Sequence, residues 1–157
     1  MNTIDIIKER YRQLQSNNGS SALTPLEQQA YNTFTELGIP TVKNEEWKYT
    51  RISGAFNKEY AFNPESYTTT IYASDIDAYR LPGYEEANEL VFVNGLYSSS
   101  LSTLRSSALT VLSLDEATKG EHRELVMQHL GQSSKYIKDG LNALNTAFAA
   151  EGVFIHV

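Results

Sequence analysis

The chain contains no cysteine and no long apolar run, and both absences limit what it can do. Without cysteine there are no disulfides, no thiolate metal ligands and no cysteine nucleophile. No stretch approaches the roughly 18 apolar residues of a membrane span, and the first residues lack the basic and apolar regions of a secretion signal. We therefore expect a soluble cytoplasmic protein that does not enter a membrane.

A basic surface is also lacking. The formal net charge is −6. Residues 1–60 carry seven basic and seven acidic side chains, whereas residues 61–157 carry six basic and twelve acidic ones. The whole acidic excess therefore lies in the second part, where it repels phosphate groups. The ten tyrosines have no basic stripe beside them, so we expect no binding of nucleic acid.

Helical periodicity dominates the first 40 residues. Apolar side chains between Ile4 and Leu14 recur at helical spacing and predict a first amphipathic helix. Residues 24–27 (Thr-Pro-Leu-Glu) predict the start of a second helix, with Thr24 as N-cap and Glu27 closing a capping box. The expected buried face of this helix consists of Leu26, Ala30, Phe34 and Leu37. Gly38 is expected to end it.

The second part of the chain mixes strand and helix patterns. Asn94-Gly95, inside the apolar stretch 90–97, predicts a hairpin with a type I′ turn. Further strands are predicted at 67–72, 108–114 and 152–157. Helices are predicted over 115–130, with a break at Gly120, and over 139–149, with Leu141, Leu144, Ala147 and Phe148 on one face.

These patterns define an α+β fold. We expect an N-terminal helical segment at 1–62, a small mixed α/β lobe at 63–150 and a final strand at 151–157. At 157 residues, with 41% hydrophobic and 20% charged residues, the chain is long enough and apolar enough to bury a core.

Candidate catalytic and metal-binding groups are sparse. Glu45 and Glu46 are adjacent, so their side chains diverge on a helix or a strand and rarely share a proton. His122 and His129 are seven residues apart, whereas zinc-binding helices place ligands three or four apart. The serines at 98–102 lack a nucleophile elbow, and residues 131–135 lack a complete phosphate-binding motif. We therefore predict no active site, no metal site and no cofactor.

The most informative segment is Lys43–Thr50, which contains the only tryptophan and follows the predicted helix end at Gly38. Its sequence, Lys-Asn-Glu-Glu-Trp-Lys-Tyr-Thr, sets two aromatic residues among charges. Together with the preceding residues 38–41 (Gly-Ile-Pro-Thr), it resembles the N-terminal signature of SufD in the SufB/SufD family. Residues 141–148 followed by Gly152 resemble a second family segment, and residues 91–95 a third. The signature residues are Asn44, Glu45, Glu46, Trp47, Lys48, Tyr49, Asn145 and Gly152.

The resemblance implies a role in the SUF iron–sulfur cluster assembly scaffold. It implies a non-enzymatic subunit that works with SufB-like and SufC-like subunits, with ATP hydrolysed by the latter. Family members continue into a parallel β-helix and a helical domain, which supply the main partner contacts and lie outside these 157 residues. The strand at 151–157 would then be the first strand of that β-helix. We expect its unpaired backbone either to fray or to join a homodimer.

Two other hypotheses come from different classes. The chain could be a stand-alone protein-interaction module with no role in the SUF system. It could also be a small hydrolase that uses the serine-rich segment, although no base accompanies those serines in the sequence.

Overall fold

The structure, a computed structural model, describes residues 3–17, 21–58, 71–132, 139–149 and 152–157. These residues form seven α-helices: α1 Thr3–Asn17, α2 Thr24–Leu37, α3 Ser53–Phe56, α4 Ala73–Ile76, α5 Leu114–Lys119, α6 Arg123–His129 and α7 Gly140–Ala147. They also form four β-strands: β1 Phe92–Val93, β2 Leu96–Tyr97, β3 Thr110–Ser113 and β4 Val153–His156. The fold is α+β, as the sequence predicts. Most of the strand predicted at 67–72 lies outside the described residues, and Ile71 and Tyr72 are not in a strand.

The first two helices lie where the periodicity predicts, but the start of α2 differs from the prediction. Leu23, not Thr24, occupies the N-cap position, with helical angles (φ −83°, ψ −17°) and no capping side chain. The Thr24 hydroxyl oxygen instead accepts a hydrogen bond from the Ser21 amide at 3.1 Å. The predicted capping box is therefore wrong. Leu23 is fully buried, and its packing draws the chain into the helical conformation one residue early.

The end of α2 follows the prediction. Gly38 has a positive φ of 66°, and its N–H donates to the Phe34 carbonyl at 2.8 Å. Glycine adopts this conformation without the penalty that a Cβ imposes. The prediction that Leu37 belongs to the buried face of α2 is wrong. Leu37 is 51% exposed, whereas Ala30 and Phe34 of that face are buried.

The core joins the N-terminal helices to the second part of the chain. One buried cluster combines Ile7, Phe34 and Ala143, and a second combines Tyr11, Ala30 and Ala147. A third cluster consists of Leu23, Leu114, Ala117 and Val126. All three contain residues from both sides of the predicted boundary at 62/63. That boundary, like the one at 150/151, stays a prediction.

The two sheets are small and antiparallel. In the hairpin, Phe92 pairs with Tyr97 and Val93 with Leu96. Asn94 (φ 52°) and Gly95 (φ 85°) both have positive φ, which confirms the predicted two-residue turn. The break at Gly120 is also confirmed, since α5 ends at Lys119 and α6 begins at Arg123.

The final strand is paired within the chain. β4 lies antiparallel to β3, with Val111 opposite Ile155 and Leu112 opposite Phe154. The expectation that the backbone of this strand lacks neighbours is therefore wrong for one of its two edges. Whether the strand begins a parallel β-helix stays a prediction.

Residues 71–113 form the longest described stretch that contains no buried residue. Polar contacts hold this region in place. The Asn88 side-chain oxygen accepts from the amides of Arg105 and Ser106, at 2.8 and 3.1 Å. Glu89 forms an isolated bridge with Thr103. Among the helices that the structure describes, none is long and apolar enough to cross a membrane.

Candidate functional site

The signature segment Lys43–Thr50 begins where the chain leaves α2. Pro40 is buried, and Ile39 packs against the cluster of Ile7, Phe34 and Ala143. The next residues form a turn in which the Asn44 side-chain oxygen accepts from the Thr41 amide at 2.9 Å. Asparagine favours such turns because its side chain can bond to nearby backbone. The start of the segment is therefore held on the core at one side and by its own turn at the other.

A short 3₁₀-helix, Glu45–Trp47, then sets the direction of the aromatic side chains. The Trp47 amide donates to the Asn44 carbonyl at 3.0 Å, and the Thr50 amide to the Trp47 carbonyl at 3.0 Å. The segment therefore consists of two consecutive tight turns. The backbone of the whole segment is ordered by short-range hydrogen bonds.

The two aromatic residues of the segment differ in exposure. Trp47 is partly buried, and its Nε1 is buried with no hydrogen-bond partner among the residues that the structure describes. It belongs to none of the three buried clusters found among the described residues. Tyr49, two positions further on, is 92% exposed. The segment therefore anchors one ring against the protein and presents the other to solvent.

The charged residues of the segment are also exposed, and one of them lies near the Tyr49 ring. Lys43, Glu45, Glu46 and Lys48 are all exposed. Lys48 Nζ lies 3.9 Å from Glu45 Oε1 and 5.6 Å from the centre of the Tyr49 ring. Exposed ion pairs of this kind contribute little to stability. Lys48 thus lies close to both an exposed carboxylate and an exposed tyrosine, a residue type that is enriched at protein interfaces.

The other two signature residues, Asn145 and Gly152, lie outside this segment and make backbone hydrogen bonds near the end of α7 and the start of β4. Asn145 is exposed on α7, and its carbonyl accepts from the Phe148 amide at 3.3 Å. Gly152 accepts from the Leu114 amide at 2.9 Å and donates to the Ala149 carbonyl at 2.8 Å. None of these bonds involves the signature segment. The signature residues thus form two groups: residues 44–49 in the segment after α2, and Asn145 and Gly152 in the part of the chain that leads to β4.

Residues 71–113 contain an ion cluster that no sequence pattern predicts. Arg80 donates from Nε to Glu89 Oε2 at 2.9 Å and from Nη2 to Glu89 Oε1 at 2.8 Å, a bidentate pair. It also pairs with Asp77 and lies 4.8 Å from the Tyr84 ring. The bond to Glu89 raises the pKa of Arg80, and the same bond holds the pKa of Glu89 below its ordinary value. No periodicity links residues nine apart, so the sequence offers no signal for this pair.

Two of the three histidines, His122 and His156, lie near each other. His122 is partly buried, with its ring centre 4.8 Å from that of Phe154 and 5.4 Å from that of His156. His129 is exposed. Within the described residues, no group of three or more histidine, cysteine or acidic side chains could hold a metal ion.

The described residues form a small α+β module that presents most of the signature segment Lys43–Thr50 to solvent. The chain belongs to the family described as the SufBD protein N-terminal region, which it matches over residues 2–157. That membership links it to the SUF iron–sulfur cluster assembly family. No curated protein and no solved structure matches the chain.

Proposed function

We propose that the chain is the N-terminal region of a SufD-like protein and acts as a non-catalytic scaffold in cytoplasmic iron–sulfur cluster assembly. The family match supports the assembly role in general. The assignment to SufD, and not to its sister SufB, is supported by residues 44–49 (Asn-Glu-Glu-Trp-Lys-Tyr), a sequence that resembles the SufD signature.

The observation that carries the proposal is the contrast between Trp47 and Tyr49. An enzyme site would converge its polar groups in a sheltered cleft. Here the carboxylates of Glu45 and Glu46 are exposed beside a tyrosine that is 92% exposed. The ordered turns at Asn44 and Trp47 reduce the conformational entropy lost when a partner binds. This arrangement supports a contact role better than a catalytic one.

The chain has no cysteine and therefore supplies no thiolate to a cluster. We assign ATP hydrolysis to a SufC-like subunit, and we assign to the signature segment one contact within a complex that also contains a SufB-like subunit. The segment would add to contacts made elsewhere in the assembly.

Co-purification tests this assignment. The chain is co-expressed with the SufB-like and SufC-like subunits of the same organism, and the complex is isolated through a tag on the SufB-like subunit. We expect the chain to be recovered with both subunits and to show no ATPase activity when purified alone. The variant Tyr49→Ala should lower the recovery by about tenfold, the loss of one well-placed aromatic contact.

The matched control is Tyr79→Ala, which removes another tyrosine that is 84% exposed. Its recovery should equal that of the unchanged chain. If the chain is not recovered with either subunit, the stand-alone interaction module becomes the better hypothesis. If both alanine variants lose recovery equally, the signature segment is not the contact.

A further inference from the structure

Residues 48–51, Lys-Tyr-Thr-Arg, form a basic tetrapeptide that is exposed between two partly buried residues. Trp47 precedes the tetrapeptide and Ile52 follows it, and both are partly buried. The backbone is ordered by hydrogen bonds at both ends. The Thr50 amide donates to the Trp47 carbonyl at 3.0 Å, and the Ile52 carbonyl accepts from an amide of α3 at 2.9 Å. The chain therefore presents all four side chains of the basic tetrapeptide on an ordered backbone.

This tetrapeptide begins a positive stretch in an otherwise acidic chain. Residues 48–58 contain three basic side chains, those of Lys48, Arg51 and Lys58, and no acidic one. The formal net charge of the whole chain is −6, so the rest of the chain is more acidic still. At physiological ionic strength, charges on the surface are screened over about 8 Å. The charges close to the tetrapeptide, and not the net charge of the chain, therefore decide what binds to it.

The two cations of the tetrapeptide differ in their neighbours. Lys48 Nζ lies 3.9 Å from Glu45 Oε1, in an exposed pair that contributes little and that salt weakens. Arg51 is exposed and has no ion pair among the residues that the structure describes. Its planar guanidinium can donate two parallel hydrogen bonds to the two oxygens of a carboxylate. Arg51 is therefore suited to bind a carboxylate of another protein.

Tyr49 places an apolar contact two positions before Arg51. Its side chain is 92% exposed. Tyrosine and arginine are among the residue types that contribute most binding energy at protein interfaces. A tyrosine ring supplies a large contact area at a low cost in conformational entropy. Together the ring and the guanidinium offer a partner one apolar contact and one charged contact.

We propose that the basic tetrapeptide binds an acidic segment of a partner protein, with Arg51 on a carboxylate and Tyr49 on an apolar side chain beside it. This inference rests on the contact role proposed for the signature segment, and it adds Arg51, which lies directly after that segment. A nucleic acid fits the surface less well. Three cations on an acidic chain neutralise few phosphates, and the two glutamates before Trp47 repel them.

Co-purification with the SufB-like and SufC-like subunits measures the contribution of Arg51. Arg51→Gln removes the charge and should lower the recovery by about threefold, the loss of one exposed ion pair. Arg51→Glu places like charges together and should lower it by about tenfold. The matched control is Arg123→Gln, because Arg123 is also exposed and has no ion pair among the described residues. This control should leave the recovery unchanged.

The same experiment separates this inference from the proposed function. If Tyr49→Ala lowers the recovery while both Arg51 variants match the unchanged chain, the contact role stands and the acidic partner is wrong. If Arg51→Gln and Arg123→Gln lower the recovery equally, the effect comes from net charge, and the assignment to Arg51 is wrong.

Titration with short peptides tests the inference without the complex. The isotope-labelled chain is titrated with a peptide that mixes glutamate and leucine, and with a peptide in which lysine replaces each glutamate. We expect the amide NMR signals of residues 48–51 to shift with the acidic peptide at about millimolar concentration, and not with the basic one. Arg51→Gln should remove these shifts. No shift with the acidic peptide, equal shifts with both peptides, or larger shifts with a single-stranded oligonucleotide would overturn the inference.

Discussion

The start of α7 lies directly against the end of α2: a Cβ built on Gly140 would be 1.6 Å from the carbonyl oxygen of Gly38. Only hydrogen fits at that point. The two glycines are far apart in the sequence, yet their contact sets how closely the two helices approach. Ala143 and Ala147 of α7 pack with Phe34 and Ala30 of α2 within that approach. Small residues on both sides therefore support the central helix pair.

Gly140→Ala should strongly destabilise the fold. The added methyl group meets backbone, which cannot rotate away, so α7 must move off α2. We expect a loss of at least about 3 kcal/mol in the free energy of unfolding, the upper end for overpacked sites. Urea denaturation followed by the fluorescence of Trp47 measures it.

Gly54→Ala is the matched control, because a Cβ at Gly54 meets nothing within 4 Å. This residue lies in α3, where alanine is the better helix former, so the change should be neutral or slightly stabilising. Equal losses for Gly140→Ala and Gly54→Ala would show that the approach of α2 and α7 is not the constraint.

Gly152→Ala should also destabilise, through a side chain. A Cβ there would lie 2.5 Å from Leu114 Cδ1 and 3.0 Å from the Ala149 carbonyl oxygen. Leu114 is buried, and we expect a loss of about 1–3 kcal/mol. The double variant Gly152→Ala with Leu114→Val should lose less than the two single changes added together, because the shorter side chain vacates the space. If the losses of the two single variants simply add in the double variant, a steric clash does not explain why residue 152 is glycine.

The hydrogen bonds at Ser113 and Thr24 predict unequal effects of two alanine substitutions. The Ser113 hydroxyl accepts from the Glu116 amide at 3.1 Å and caps α5. Ser113→Ala should therefore cost about 0.5–2 kcal/mol. Thr24→Ala breaks only a bond to Ser21 outside the helix and should cost less. Thermal unfolding of the two variants compares them, and a larger loss at Thr24 would restore the capping role that the sequence predicts.

The pair Arg80–Glu89 should make stability depend on acid pH. The Arg80 guanidinium lowers the pKa of Glu89 in the folded state. The pair therefore stabilises the fold fully above the ordinary carboxyl pKa of 4.5. This stabilisation is lost as the pH falls through the lowered pKa that Glu89 has in the folded protein. Glu89→Gln should reduce stability at pH 7 and flatten its decline below about pH 4.5. Glu85→Gln, at an exposed position in the same region, should leave that decline unchanged.

The sequence predicts those features of the fold that short-range chemistry decides. Asn94-Gly95 and Gly38 need positive φ, so their turn and helix end follow from residue type alone. The cap of α2 does not, because burial of Leu23 overrides the preference of Thr24. No local pattern encodes contacts between positions that are distant or aperiodic in the sequence. Three such contacts are that of Gly38 with Gly140, the pairing of β3 with β4 and the bond of Arg80 to Glu89.

In the candidate site, too, residue type decides some features and the folded structure decides others. Trp47 as an anchor follows from a lone large aromatic residue among charges, a pattern that favours partial burial. The exposure of Tyr49 depends on the two tight turns around Trp47, and the sequence does not reveal their geometry. The packing role of Gly152 requires the position of Leu114, which becomes visible only in the folded chain.

Site-specific photo-cross-linking tests the central claim, that residues 43–50 contact a partner in the SUF complex. A photoreactive phenylalanine analogue replaces Tyr49 in one protein and the similarly exposed Tyr79 in another. Each is irradiated with the SufB-like and SufC-like subunits. We expect a cross-link from position 49 to one of these subunits and none from position 79. Irradiation that yields no cross-link at position 49, or the same products from both positions, would contradict it.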